Sequence, residues 1–182
     1  MNYPGNDEIN KLDIQLTEMR VENFNNEDFL SPQWWFLLAL TIIPWILWWI
    51  LLDKTKIKKI WLYGALITIL IIYLDDIGGV LNLWNYPYQL INIIPRLNPI
   101  DISVLPVMHM LIYQYFSKWK NFIIANIIIS FCNSYIAEPF FVKIGIYELT
   151  NWKYIYSVPI YVMKAILIKF ILEKVLQKSE DK

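Results

Sequence analysis

Five apolar runs separated by short polar connections constrain this chain more than any other feature. They cover residues 33–52, 60–76, 101–116, 122–141 and 154–172. An α-helix needs about 20 apolar residues to cross a hydrocarbon core near 30 Å thick. In lipid every backbone N–H and C=O must be satisfied inside the segment, so runs of this kind are helices. The spacing predicts an all-α polytopic membrane bundle of five transmembrane helices, filling residues 33–176. The third run is the shortest. Trp34 and Trp35 at one end of the first run, and Trp48 and Trp49 at the other, match interfacial aromatic belts. Pro44 should kink that helix by removing a hydrogen bond. Residues 80–94 are too short for a sixth span, and a span there would invert every later loop.

Lysines set the expected orientation. The first connection carries Lys54, Lys56, Lys58 and Lys59, the third carries Lys118 and Lys120, and the tail carries Lys174, Lys178 and Lys182. The intervening connections hold only Arg96 in one and Lys143 and Lys153 in the other. By the positive-inside rule these alternate, placing the N-terminus outside and the tail, residues 177–182, in the cytoplasm. The expected location is a bacterial cell membrane crossed several times; heavy use of Ile, Asn, Lys and Tyr fits an AT-rich bacterial genome.

Residues 1–32 are polar and acidic and lack the basic start, apolar middle and cleavage site of a signal peptide. Ile9, Leu12, Leu16 and Met19 recur at helical spacing, which predicts a short amphipathic helix. Such a helix would cap the outer face of the bundle or offer a surface to a protein partner; a solvated tail is the other reading. No long basic block points to nucleic acid. The single cysteine, Cys132, can form no disulfide within the chain.

The candidate site lies at the outer end. Asp75 and Asp76 close the second run, Asp101 opens the third and Glu138 closes the fourth, so this topology brings four carboxylates from three helices to one membrane face. Ionisable groups at membrane depth are costly and mark functional sites by default. The paired aspartates should repel, raising one pKa to make a general acid. Asp75, Asp76, Glu138 and Asp101 are therefore the candidate catalytic residues. Asn126, Ser130, Asn133, Ser134 and Glu138 share one face of the fourth run. Gly64, Thr68 and Asp75 share one on the second, and these two helices are expected to face each other. The outer loop, residues 77–100, adds a glycine pair and an aromatic cluster of Trp84, Tyr86 and Tyr88. Trp84, Tyr86 and Tyr135 form an expected apolar wall, with Asn133 and His109 completing the substrate-binding set. His109 could exchange protons near pH 6.5, although a bundle histidine bonded to a neighbouring helix is the plainer reading. Lys164, in mid-helix, is expected either to pair with a carboxylate or, the favoured reading, to snorkel toward the cytoplasm.

No P-loop, HExxH, GxSxG or Cys/His cluster is present, which leaves hydrolase and nucleotide readings without support. No cofactor is evident, although carboxylates alone could hold Mg2+ through oxygen ligands. The run LDDIGG…LWNYP, then NPID…LP with MLIYQY, then EPFF, GIY and WKYIYSVPIY resembles a family of small uncharacterised integral membrane proteins of spore-forming Gram-positive bacteria. The resemblance covers the second to fifth runs and implies a polytopic membrane protein; it carries over no catalytic residue. A looser likeness of layout links the chain to lycopene-cyclase-type membrane isoprenoid cyclases. Three function classes follow: a protein that binds or transforms a lipid or isoprenoid, with membrane lipids as its partners; a non-catalytic envelope or spore-membrane scaffold; and a proton or cation carrier.

Overall fold

A computed structural model describes residues 5–92 and 96–180, without the side chains of 177–180. Residues 1–4, 93–95 and 181–182 lie outside the described residues, and with them parts of the expected N-terminal segment, outer loop and tail. The chain is all-α, as its apolar periodicity demands. Its helices are α1 (Asn6–Asn23), α2 (Pro32–Leu51), α3 (Ile57–Val80), α4 (Leu105–Tyr115), α5 (Trp119–Cys132), α6 (Glu138–Lys143) and α7 (Tyr154–Glu180). Wider turns of π geometry occur at Phe24–Asp28, Ile100–Val104 and Asn133–Ala137. The second of these runs straight into α4, and the third joins α5 to α6 without a break.

Local chemistry explains the helix starts. Ser31 caps α2, its hydroxyl accepting the Trp34 N–H at 3.1 Å, with Pro32 in the first turn. Proline is tolerated there because its missing N–H would have no helical partner. Pro44 lies inside an unbroken α2.

Among the described residues four segments are long and apolar enough to cross a membrane: Pro32–Leu51, Lys54–Val80, Trp119–Lys143 and Tyr154–Leu176. The expected third span, here Ile100–Tyr115, is not among them. It packs inside the bundle instead, with Leu105, Pro106, Val107, His109, Met110, Ile112 and Tyr113 all buried. Sheltered by its neighbours, this helix needs no long lipid-facing surface. Gly64 on α3 lies against Met110, and a Cβ there would overlap the Met110 side chain. Tyr63 and Tyr113 stack with ring centres 4.3 Å apart, and Phe122 meets both edge-on. Such ring pairs contribute about 0.5–1.5 kcal/mol beyond their buried area.

Side-chain contacts define the two ends of the bundle. At one end the Gln114 amide donates to Leu51 O (2.9 Å) and accepts from Asp53 N (2.9 Å), while Lys169 reaches the Ser117 carbonyl at 2.7 Å. The lysine-bearing connections therefore gather together. At the other end a two-stranded antiparallel ribbon, β1 (Trp84–Asn85) with β2 (Glu148–Leu149), laces the two long loops. Trp84 pairs with Leu149 and Asn85 with Glu148.

The expected amphipathic cap is only partly realised. α1 forms, but it buries no residue, and Ile9, Leu12, Leu16 and Met19 are exposed. Its apolar residues never meet the bundle. The docking is done by buried Asp28, whose carboxylate accepts the Gln89 N–H at 3.1 Å and thereby ties the N-terminal segment to the outer loop. Burial pushes the Asp28 carboxyl above its ordinary value, against the opposing pull of that N–H.

Candidate active site

A cavity of about 150 Å3 opens at the ribbon end of the bundle, among α3, the 100–104 turn, the α5–α6 junction and α7. Asp75, Asp101, Glu138 and Lys164 line it, with Trp84, Tyr86, Asn133, Tyr147, Trp152, Ser157 and Tyr161. All four ionisable groups belong to buried residues, exposed by 9%, 5%, 8% and 5% respectively.

The aromatic loop is built onto Asp75. One of its oxygens accepts the Trp84 indole N–H at 3.0 Å and the Tyr86 hydroxyl at 2.5 Å. Burial, with Asp75 and Asp101 beside it, pushes the Tyr86 hydroxyl well above its ordinary value, so that it stays a donor. Gly78 makes this arrangement fit. It lies under the Trp84 ring, where any Cβ would collide, whereas Gly79 beside it faces open space. Tyr86 in turn stacks on Tyr147, centres 5.6 Å apart, and Trp84 meets Trp152 edge-on at 5.1 Å.

Asp101 sits in the 100–104 turn. The second oxygens of Asp75 and Asp101 are buried without a donor. Both carboxyl groups line the same cavity.

Glu138 follows the 133–137 turn directly and is held separately. It accepts the Tyr161 hydroxyl at 2.9 Å and the Ser157 hydroxyl at 3.3 Å, and the Trp152 indole donates to that same Ser157 at 2.9 Å. Two acids thus stand at π turns, which recur at functional sites. The wider turn offers a reason: it interrupts the regular ladder and re-aims the side chains that follow.

Lys164 corrects the snorkelling expectation. Its amine does not run toward the lysine end; it faces the cavity, 4.4 Å from the centre of the Tyr161 ring, and feels the charges of Asp101, Asp75 and Glu138. Among the described residues it makes neither a hydrogen bond nor an ion pair. The chain therefore holds a buried lysine amine, resting on the Tyr161 ring, beside three carboxyl groups.

Other expected site residues fall elsewhere. Asp76 points out of the cavity and pairs with Arg96, its side chain 45% exposed. Adjacent positions on a helix are about 100° apart, so the two aspartates cannot face the same space. Tyr135 is 49% exposed and stacks on Phe131 outside the cavity. It lies within the π turn, where a 3.6-residue period no longer predicts direction. His109 is buried against Asn126 (Nδ1 to Oδ1, 3.2 Å) and does not line the cavity, which matches the plainer reading of it. Asn126, Ser130, Ser134 and Glu138 do turn inward as a buried stripe. The second and fourth runs face each other across the cavity, with Asp75 on one side and Asn133 and Glu138 on the other, while direct packing joins α3 chiefly to α4 and α7, and α5 to α7. The sequence reading missed Tyr147, Trp152, Ser157 and Tyr161. The only signal for the last two was their spacing from Lys164, which puts 157, 161 and 164 on one helix face.

Among the described residues no three His, Cys, Asp or Glu side chains gather in a metal-binding arrangement. Comparison of the chain with family models, with curated proteins and with solved structures finds no match.

Proposed function

We propose that this chain is a five-span membrane protein that binds a lipid or isoprenoid at the acidic and aromatic end of its bundle and transfers protons to or from the ligand's reacting end. The observation that carries the reading is the cavity itself, where three buried carboxyl groups and a lysine without a hydrogen bond or ion pair among the described residues meet beside an apolar aromatic wall. Buried acids in different surroundings separate into proton donor and proton acceptor. Here Asp75 and Asp101 form one unit, and Glu138, held by two hydroxyls, forms the other. The faces of Trp84 and Trp152 would stabilise positive charge that develops on a hydrocarbon, since ring quadrupoles attract cations. A cavity of about 150 Å3 is smaller than the roughly 300–1,000 Å3 of a drug-sized site. It takes the end of a chain, and the rest lies in the bilayer.

In this reading Ile100–Tyr115 is the fifth span, since it leads from Asp101 at the cavity end to Gln114 at the lysine end. The lysine end is cytoplasmic by the positive-inside rule. The likeness to the small membrane proteins of spore formers rests on the quoted motifs, and the isoprenoid-cyclase analogy on layout.

The experiment is lipid extraction and mass spectrometry of cells carrying Asp101→Asn, Glu138→Gln or Lys164→Met. The expected outcome is loss of a lipid product at unchanged protein abundance. Unchanged lipids with a lost crosslinked partner would instead make the protein a scaffold. Unchanged lipids with lost proton flux in liposomes would make it a carrier.

A further inference from the structure

A second cavity, of about 160 Å3, lies at the opposite end of the bundle, and the proton-transfer reading does not use it. Its lining includes Lys56, Lys59, Tyr113, Ser117, Lys169 and Glu173. Three ammonium groups therefore face one carboxylate. Lys169 is only 1% exposed. Its amine donates to the carbonyls of Ser117 (2.7 Å) and Phe116 (3.5 Å) and lies 4.3 Å from the Phe122 ring centre and 4.9 Å from that of Trp119. These contacts pin a positive charge in the cavity wall.

Lys59 repels Lys169 across this space. Like charges held close are relieved by an anion between them. Glu173 offsets this repulsion for Lys169, standing 3.8 Å from it with its other oxygen taken by the Trp119 indole at 2.9 Å, but Lys59 has no carboxylate of its own among the cavity-lining residues. Lys56 is already engaged by Asp53 at 2.9 Å. The hydroxyls of Tyr113 and Ser117 make no hydrogen bond among the described residues, so two neutral donors remain free beside the lysines.

We propose that this cavity binds a phosphate group, carried by an anionic lipid headgroup or free in solution, with Lys59, Tyr113 and Ser117 as direct donors and Lys169 as a fixed charge behind them. Basic pockets between membrane helices suit phosphate headgroups, each exposed lysine near the surface contributing about 1 kcal/mol. The test is native mass spectrometry of the purified full chain in detergent containing equal phosphatidylglycerol and phosphatidylcholine. The expected result is preferential retention of phosphatidylglycerol, reduced about fivefold by Lys59→Ala. Lys120→Ala, at the same end but off the cavity lining, should leave retention unchanged. Displacement of the lipid by added inorganic phosphate would show that either source fills the site; resistance would show that the lipid-borne form is required. Equal retention of the two lipids, or equal effects of Lys59→Ala and Lys120→Ala, would overturn the proposal.

Discussion

Lys164 and Lys169 stand five residues apart on α7, and they are held in opposite ways. Lys169 is satisfied by carbonyls, aromatic faces and Glu173, at the end where the other lysines collect. Lys164 rests on one aromatic face, that of Tyr161, makes no hydrogen bond or ion pair among the described residues, and opens into a cavity of acids. Five residues turn a helix by about 140°, so each lysine belongs to a different chemical neighbourhood. A buried charge whose valences are filled serves the structure, whereas one left open is available to a ligand. The two ends of the bundle divide on the same principle. The lysine end fixes its buried amine on backbone carbonyls, and the ribbon end leaves the buried amine of Lys164 and one oxygen each of Asp75 and Asp101 without a hydrogen-bond partner among the described residues.

The largest expected break in this comparison is Asp75→Ala. It strands the buried donors of Trp84 and Tyr86, each costing about 1–3 kcal/mol when unsatisfied. Thermal unfolding in detergent should register a loss of about 2–4 kcal/mol. Asp76→Ala, one position along, removes a half-exposed ion pair worth about 0–1 kcal/mol. Equal losses from the two would erase the distinction between a site carboxylate and a surface one. Next comes Gly78→Ala, which forces the Trp84 ring from its seat at about 1–3 kcal/mol, the usual cost of overpacking. Gly79→Ala should be neutral or slightly stabilising, because alanine favours the helix. Tryptophan emission should shift in the first variant and stay fixed in the second.

At the lysine end, Gln114→Ala removes two hydrogen bonds that tie α4 to the α2–α3 connection, for about 1–3 kcal/mol. That loss should leave any activity of the cavity end intact, since Gln114 touches none of its residues. The smallest effect concerns Asp28. Its folded pKa is raised above 3.8, so the folded chain binds more protons than the unfolded one just above that pH. The contribution of this group to stability is present at lower pH and falls as pH rises through the folded value. Asp28→Asn should flatten that slope in pH-dependent protease protection of residues 5–31.

Much of this was legible in the chain because apolar length and charge in apolar surroundings are local signals. Asp75, Asp101 and Glu138 stood out on those grounds, and the structure places them in one cavity. Tyr135, expected in the apolar wall, packs outside the cavity against Phe131, off the face that the period assigns to Ser130, Ser134 and Glu138. Lys164 was visible as a mid-helix lysine, but whether it snorkels or faces inward depends on which helices surround α7, a tertiary fact. The enclosed position of α4 was hidden for the same reason: its run is short for a span, and shortness alone does not say that neighbours shelter it. Asp76 failed for a simpler cause, since one helical step moved it off the face that Asp75 occupies.

The claim on which the rest depends is that the acids of separate helices meet in one space, and cysteine crosslinking in membranes tests it most directly. In a Cys132→Ser background, Asp75→Cys paired with Asp101→Cys should form a disulfide under mild oxidation, detected as linked peptides by mass spectrometry, and Asp76→Cys with Asp101→Cys should not. No link in the first pair of a folded protein, or an equal link in the second, would contradict the account.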